Sequence, residues 1–336
     1  MEQKRQMIRI GAAAAVCAAV LYLAGGAMAE QLLALLKKPG VISFLVYLET
    51  GRVITTPFVW EMPSVDPPPA DSGQQSQLQR PSFQAQDAQL VQINSQCGYS
   101  VDAQALLCKP LSWDLTRDGP AVLILHTHAT ESYTPAGEDV YQASSAYRTL
   151  DEDYNMLRVG DRLAQLLRRQ GIQVLHDRTL HDHPSYNGSY GAARNTIEQY
   201  LKEYPSIRMV LDIHRDAAEL AGGVQLTTNA VVDGKASSQL MMVVGSDAGG
   251  LYHPGWQENM ALALKLHTVL EKNNPGLCRP ISFRTERFNQ DMTPGAMLIE
   301  VGAAGDTLQQ ALTAAEALAE GIIQLARGTA TADSAS

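Results

Sequence analysis

Apolar residues fall along this chain in two rhythms. Short runs at 121–125 (AVLIL), 209–213 (MVLDI) and 296–299 (AMLI) are too brief for helices and end in polar residues, the pattern of buried strands. Between them the spacing changes to about 3.6. Tyr154, Leu157, Val159, Leu163, Leu166 and Leu167 form one helical stripe, closed by Gly171. Met260, Leu262, Leu264, Leu266, Val269 and Leu270 form another within 256–273, and a third helix is predicted over 307–327. Weaker signals predict strands at 172–175, 224–232 and 240–245, the last two joined around Asp233-Gly234. A short helix is predicted at 196–204, and short strands or an entry segment at 90–99 and 106–113. Strands alternating with helices predict one α/β domain over 90–328, with a mainly parallel sheet flanked by helices.

The ends of the chain have other compositions. Residues 1–29 carry Lys4, Arg5 and Arg9 and then an uncharged apolar stretch, which predicts a signal anchor or transmembrane segment. Cleavage after Ala27-Met28-Ala29 is the alternative. The basic residues keep that end cytoplasmic, so a single-pass protein with its folded domain outside is expected. Residues 30–89 read as a juxtamembrane region and a disordered linker, since 55–88 is rich in Pro, Gln, Ser and Asp. Residues 329–336 read as a disordered tail. A net charge of −9 argues against nucleic acid as a partner. Of the four cysteines none forms a Cys-x-x-Cys pair, which disfavours a cysteine zinc site. Cys97 and Cys108 are either a disulfide or two free thiols.

The three strongest strands each run into ligand-type residues: His126, His128 and Glu131 after the first, His214 on the second, Glu300 after the third. Strand ends are where open α/β sheets carry their sites. A catalytic zinc takes three protein ligands and leaves a position for water. His128, Glu131 and His214 supply that count, and Glu300 is then the general base that returns a proton to the leaving amine. His126 is the alternative to His128 as ligand, because strand alternation turns it to the other face. An exchange of roles, with Glu300 as ligand and Glu131 outside, is also open. His176, His181 and His183 sit in a polar stretch and read as solvated. Asp212 and Asp216 flank His214, and Arg215 and Arg284 are candidates for holding a substrate carboxylate.

The blocks HTHATESYTP (126–135), YRTLDEDYNMLRVGDRLAQLL (147–167), HDHPSYNGSY (181–190), DIHRDA (212–217), VVGSDAGG (243–250) and NQDMTPGAMLIEVGAAGDTLQQA (289–311) resemble the stage II sporulation protein P family. That resemblance implies a membrane-anchored cell-wall hydrolase with a zinc-amidase-like fold. It implies cleavage between N-acetylmuramic acid and L-alanine and of peptide cross-links in peptidoglycan during engulfment, beside stage II sporulation proteins D and M. Zinc amidases place a glutamate ligand just before a helix of Asn-Leu type; here Asp151 precedes Asn155, so Glu131 departs from their pattern. A zinc carboxypeptidase-like peptidase and a non-catalytic anchored cell-wall scaffold are the alternative readings.

Overall fold

The computed structural model describes residues 80–111 and 113–328. The expected membrane segment, the juxtamembrane region, most of the expected linker and the tail lie outside the described residues. Among the described residues no helix is long and apolar enough to cross a membrane.

The run at 121–125 becomes β2 (Val122–Leu125), whose four side chains are all fully buried. Each contributes about 2 kcal/mol of transfer free energy. Before it come a 3-10 turn (Ala85–Leu90), β1 (Ile93–Ser95) and α1 (Ala103–Cys108). After it come α2 (Met156–Arg169), β3 (Val174–His176), α3 (Ser189–Glu203) and β4 (Met209–Asp216). Two short antiparallel pairs follow, β5 (Glu219–Leu220) with β6 (Val224–Gln225) and β7 (Ala230–Val232) with β8 (Lys235–Ser237). The described residues end with β9 (Leu240–Val244), α4 (Trp256–Asn273), β10 (Ile281–Phe283), β11 (Ala296–Ala303) and α5 (Leu308–Leu325).

Seven strands make one sheet in the order β1-β10-β9-β11-β4-β2-β3. Every neighbouring pair is parallel except β9 with β11. The expected mainly parallel α/β sheet is therefore present. The hairpin around Asp233-Gly234 is present too, but it joins β7 to β8; β9 belongs to the large sheet.

Alternation divides the sheet into two faces. Val122, Ile124, Met209, Leu211, Ile213, Met297, Ile299 and Val301 pack into the large core with residues of α2, α4 and α5. Leu123, Leu125 and Val210 pack on the other face with Ala193 and Ile197 of α3. The same period puts Asp212, His214 and Glu300 on the α3 face, and the parallel register aligns them: Leu125 pairs with Asp212, and Glu300 with His214.

The folded part begins earlier than residue 90. Phe83 is 3% exposed within the large core. Lys265 of α4 is fully buried and donates from Nζ to the carbonyls of Leu106, at 2.9 Å, and Leu107, closing the end of α1, with its ammonium over the Phe83 ring. Asp87 pairs with Lys272 at 2.8 Å. Residues 80–89, expected to be linker, are thus part of the packed domain. Phe83→Ala should lower the free energy of unfolding by about 3 kcal/mol in a denaturant titration; a loss below about 0.5 kcal/mol would return this segment to the linker.

Candidate active site

Beyond β2 the backbone turns sharply: Glu131 N–H donates to the His128 carbonyl at 3.1 Å. The turn is pinned to β4 by Asp212, whose carboxylate accepts from Thr127 N at 2.7 Å and Thr127 Oγ1 at 2.6 Å. It is pinned to the following loop by Asp182, which accepts from Thr130 Oγ1 and from Arg148, both at 2.6 Å. These anchors bring His128 and Glu131 over the end of β4, where His214 emerges.

His214 Nδ1 lies 3.6 Å from Glu131 Oε2, and its Nε2 lies 2.9 Å from Asp212 Oδ1 without the alignment of a hydrogen bond. The His128 ring meets the His214 ring edge-on, with centroids 5.3 Å apart. Glu300 completes the group from β11. His128 Nδ1, His214 Nε2 and Glu300 Oε2 are all buried without a hydrogen-bond partner. So the structure brings His128, Glu131, His214 and Glu300 together. Among the described residues, though, no group of three or more His, Cys, Asp or Glu side chains is arranged to hold a metal ion as it stands.

Two candidates are otherwise engaged. His126 faces α2: its Nδ1 donates to the Ile213 carbonyl at 2.9 Å, and its Nε2 is 2.9 Å from His176 Nε2. Since a carbonyl only accepts, His126 must accept at Nε2, leaving no free ring nitrogen. Arg215 is 4% exposed and donates to the carbonyls of Ser132 at 3.0 Å and Tyr147 at 2.8 Å. Its guanidinium holds the turn and is not open to a substrate carboxylate. Arg284 pairs with Glu286 at 3.3 Å, and Asp216 with Arg279 at 2.7 Å. Cys97, Cys108 and Cys278 are free thiols.

The loop read as solvated is partly buried and structural. His181 bonds the His126 carbonyl and Thr196 Oγ1, each at 3.0 Å. The same loop supplies a roof. Tyr186 stacks on His128 with ring centroids 4.4 Å apart, and the Arg148 guanidinium lies over the Tyr186 ring, 4.9 Å from its centroid. Tyr190, at the start of α3, meets His128 edge-on at 5.6 Å and lies 6.5 Å from His214. Nothing in the periodicity marks these tyrosines; their only signal was the aromatic pair within HDHPSYNGSY.

Electrostatics divide the group into charged and neutral members. Burial pushes the His128 imidazole down to about 4, helped by His214, so at neutral pH it is an uncharged donor of a lone pair. Burial also works against charge on His214, but Asp212 first and then Glu131 and Glu300 outweigh it and raise it to about 9. Asp212, opposed by its burial and favoured by His214 and Thr127, is held at about 2. Burial raises Glu300 to about 8, with His214 opposing and Glu131 adding. A carboxyl whose folded value exceeds its unfolded one keeps full stability below about pH 4.3 and loses it as the pH climbs through the folded value. In chelator-treated protein the melting temperature of Glu300→Gln should therefore gain on that of the parent from pH 5 to pH 8. A constant or shrinking difference across that window would contradict the assignment.

Comparison with known proteins adds a family. A family model described as "Stage II sporulation protein P (SpoIIP)" matches residues 61–323. The chain is 30% identical over 277 residues to Stage II sporulation protein P of Bacillus subtilis (strain 168), covering 77% of this chain. It spans only 61% of that relative's length. Among solved structures it is similar to the N-acetylmuramoyl-L-alanine amidase AmiC2 of Nostoc punctiforme, with 16% identity, 62% of this chain and 98% of that one covered, and a TM-score of 0.37. It is also similar to an N-acetylmuramoyl-L-alanine amidase from Clostridium difficile 630, with 15% identity, 62% and 97% covered, and a TM-score of 0.35.

Proposed function

The chain belongs to the stage II sporulation protein P family, and from that premise we propose that it is a zinc-dependent peptidoglycan hydrolase: an N-acetylmuramoyl-L-alanine amidase, with endopeptidase action on peptide cross-links as a second activity. The observation that carries this reading is the gathering of His128, Glu131, His214 and Glu300 at neighbouring strand ends, with three of their polar atoms buried and unpartnered. A buried polar atom without a partner costs about 1–3 kcal/mol, and a cation held by His128, Glu131 and His214 would supply the partner that His128 Nδ1 lacks while leaving Glu300 Oε2 for water.

The donors fit zinc in kind. Two imidazoles and a carboxylate are a known catalytic set. Ligands about 2 Å from a tetrahedral ion stand roughly 3.3 Å apart, close to the 3.6 Å between His214 Nδ1 and Glu131 Oε2. Coordination needs the side chains to draw together. Asp212 beside the far nitrogen of His214 is the carboxylate partner that metal-bound histidines usually have.

Zinc, when bound, supplies the positive charge that polarises water and the scissile carbonyl. The chain's own residues handle the proton. Glu300 takes it from the attacking water as the water oxygen adds to the lactyl carbonyl carbon, and passes it to the alanine nitrogen as the C–N bond breaks. Its raised pKa suits both transfers, and a cation nearby brings it toward neutrality. Asp212 keeps the His214 ring oriented throughout. The same reading includes an anchor at residues 1–29, a hydrolase domain outside the cytoplasm, and stage II sporulation proteins D and M as partners.

His214→Ala should abolish both zinc binding and release of stem peptides from purified peptidoglycan. Full zinc occupancy with normal activity in that variant would remove the zinc assignment. Chromatography of the products decides the class of bond: stem peptides mean amidase, single terminal residues mean carboxypeptidase. The second outcome is disfavoured because the two cations beside the group are engaged, Arg215 on backbone carbonyls and Arg148 on Asp182 and Glu131. A scaffold without catalysis would leave the three buried atoms unexplained.

A further inference from the structure

A cavity of about 150 Å³ lies along the loop that leads into β11, lined among others by Tyr252, His253, Asn259, Asp291, Thr293 and Pro294. It has room for roughly ten waters, about the space of one sugar ring. Two of its lining side chains are almost wholly buried, His253 at 2% exposed and Asn259 at 1%. Each carries one polar atom without a partner, His253 Nε2 and Asn259 Oδ1. The Asn259 amide is fixed, because its nitrogen donates to the carbonyls of Thr293 at 3.0 Å and Ala296 at 2.8 Å. That leaves Oδ1 as an acceptor waiting for an N–H or O–H.

The lining offers no net charge to a ligand. Asp291 is answered by Arg194 at 2.9 Å and by Arg287 at 3.3 Å. At the rim Tyr252 is 79% exposed. An aromatic ring left so open beside an interior polar pair is a platform for a flat ligand face. The occupant is then neutral, carries a hydrogen-bond donor, and has an apolar face about the width of a ring. A hexosamine with an acetamido group meets all three conditions, since its amide N–H suits Asn259 Oδ1 and its ring face suits Tyr252.

The position also suits a chain-like substrate. The loop carrying Asp291 carries Phe288, whose ring packs 5.8 Å from that of Tyr190, and Asn289 donates to the Tyr190 carbonyl at 2.9 Å. Tyr190 in turn lies against His128 and His214. We propose that this cavity binds an N-acetylated hexosamine of the glycan strand, one or more sugars away from the residue being cleaved. This rests on the peptidoglycan reading above.

The test is calorimetric titration of the full chain carrying Glu300→Gln, with the trimer of β-1,4-linked N-acetylglucosamine as probe. Cellotriose, which has hydroxyls in place of the acetamido groups, and a free stem peptide serve as the other two arms. The N-acetylated trimer should bind, and cellotriose should bind at least roughly tenfold more weakly. Tyr252→Ala should weaken the trimer by roughly tenfold, and His253→Ala should do likewise. Tyr252 is exposed enough for its variant to keep the parental melting temperature, so it decides if the His253 variant misfolds. No binding of the trimer, equal binding of cellotriose, preference for the peptide, or an unchanged Tyr252→Ala would each overturn the proposal. No turnover enters these measurements. A chain that binds the trimer through Tyr252 and yet leaves peptidoglycan uncut would keep the subsite and lose the hydrolase.

Discussion

Glu300→Gln is expected to lower turnover on purified peptidoglycan by roughly 100-fold or more, the loss usual when general acid-base catalysis is removed. Glutamine keeps the shape and the hydrogen-bonding reach while giving up the proton-carrying oxygen. It also removes the charge that burial opposes, so the fold should be retained or gain stability. Zinc content separates the two roles that the sequence leaves open. If Glu300 is the base, Glu300→Gln keeps its metal and Glu131→Gln loses it. The reverse pattern, measured side by side in metal content and turnover, would exchange them. Geometry favours the first outcome: Glu131 Oε2 is the carboxylate oxygen 3.6 Å from His214 Nδ1, while Glu300 Oε2 has no partner.

Gly160→Ala should destabilise the chain by about 3 kcal/mol, at the upper end for overpacking in a tight core. In an ordinary helix interior the same change gains up to about 1 kcal/mol. Here sterics win. A Cβ on Gly160 would stand 2.5 Å from both His126 Nε2 and His176 Nε2, whose mutual contact at 2.9 Å bridges β2 and β3 beneath α2. Neither ring can retreat, since His126 is bonded to Ile213 and His176 to Asp161 at 3.0 Å. A denaturant midpoint equal to the parent's would mean that the pair is loose and that His126 is free to turn elsewhere.

The strong periods were readable and the long-range pairings were not. β2, α2, β4, α4, β11 and α5 were legible because their apolar runs or stripes match what is buried. α1 overlaps the start of 106–113, expected as a short strand or entry segment, although Asp102 does what an N-cap does and accepts from Ala105 N–H. α3 starts seven residues before the expected 196 because its first turns, with Ser189, Gly191 and Asn195, are weak helix formers. Tertiary packing holds them, with Ser189 and Ala193 buried. β9 was assigned to the wrong partner, since the pairing with β11 joins segments more than fifty residues apart. At the site, His128, Glu131, His214 and Glu300 were legible because each closes an apolar run. Arg215 was misread as an open cation. β4 continues past His214, so alternation turns Arg215 to the opposite face, where carbonyls consume it. Asp182, Arg148, Tyr186 and Tyr190 come from aperiodic stretches, and only the folded chain brings them to His128.

The roof over His128 has a kinetic meaning. Arg148 is held by Asp182 and Glu131 whether or not Tyr186 rests against it. Uncovering His128 therefore breaks the ring's two face contacts and leaves the ion pairs in place. Tyr186 is 54% exposed, so the movement is the rotation of one surface side chain. Such rotations take picoseconds to nanoseconds, whereas enzymes commonly turn over at about 1–1000 per second. On the proposed reading, a side-chain rotation of that speed would outpace bond cleavage by many orders of magnitude, so uncovering His128 would not limit turnover.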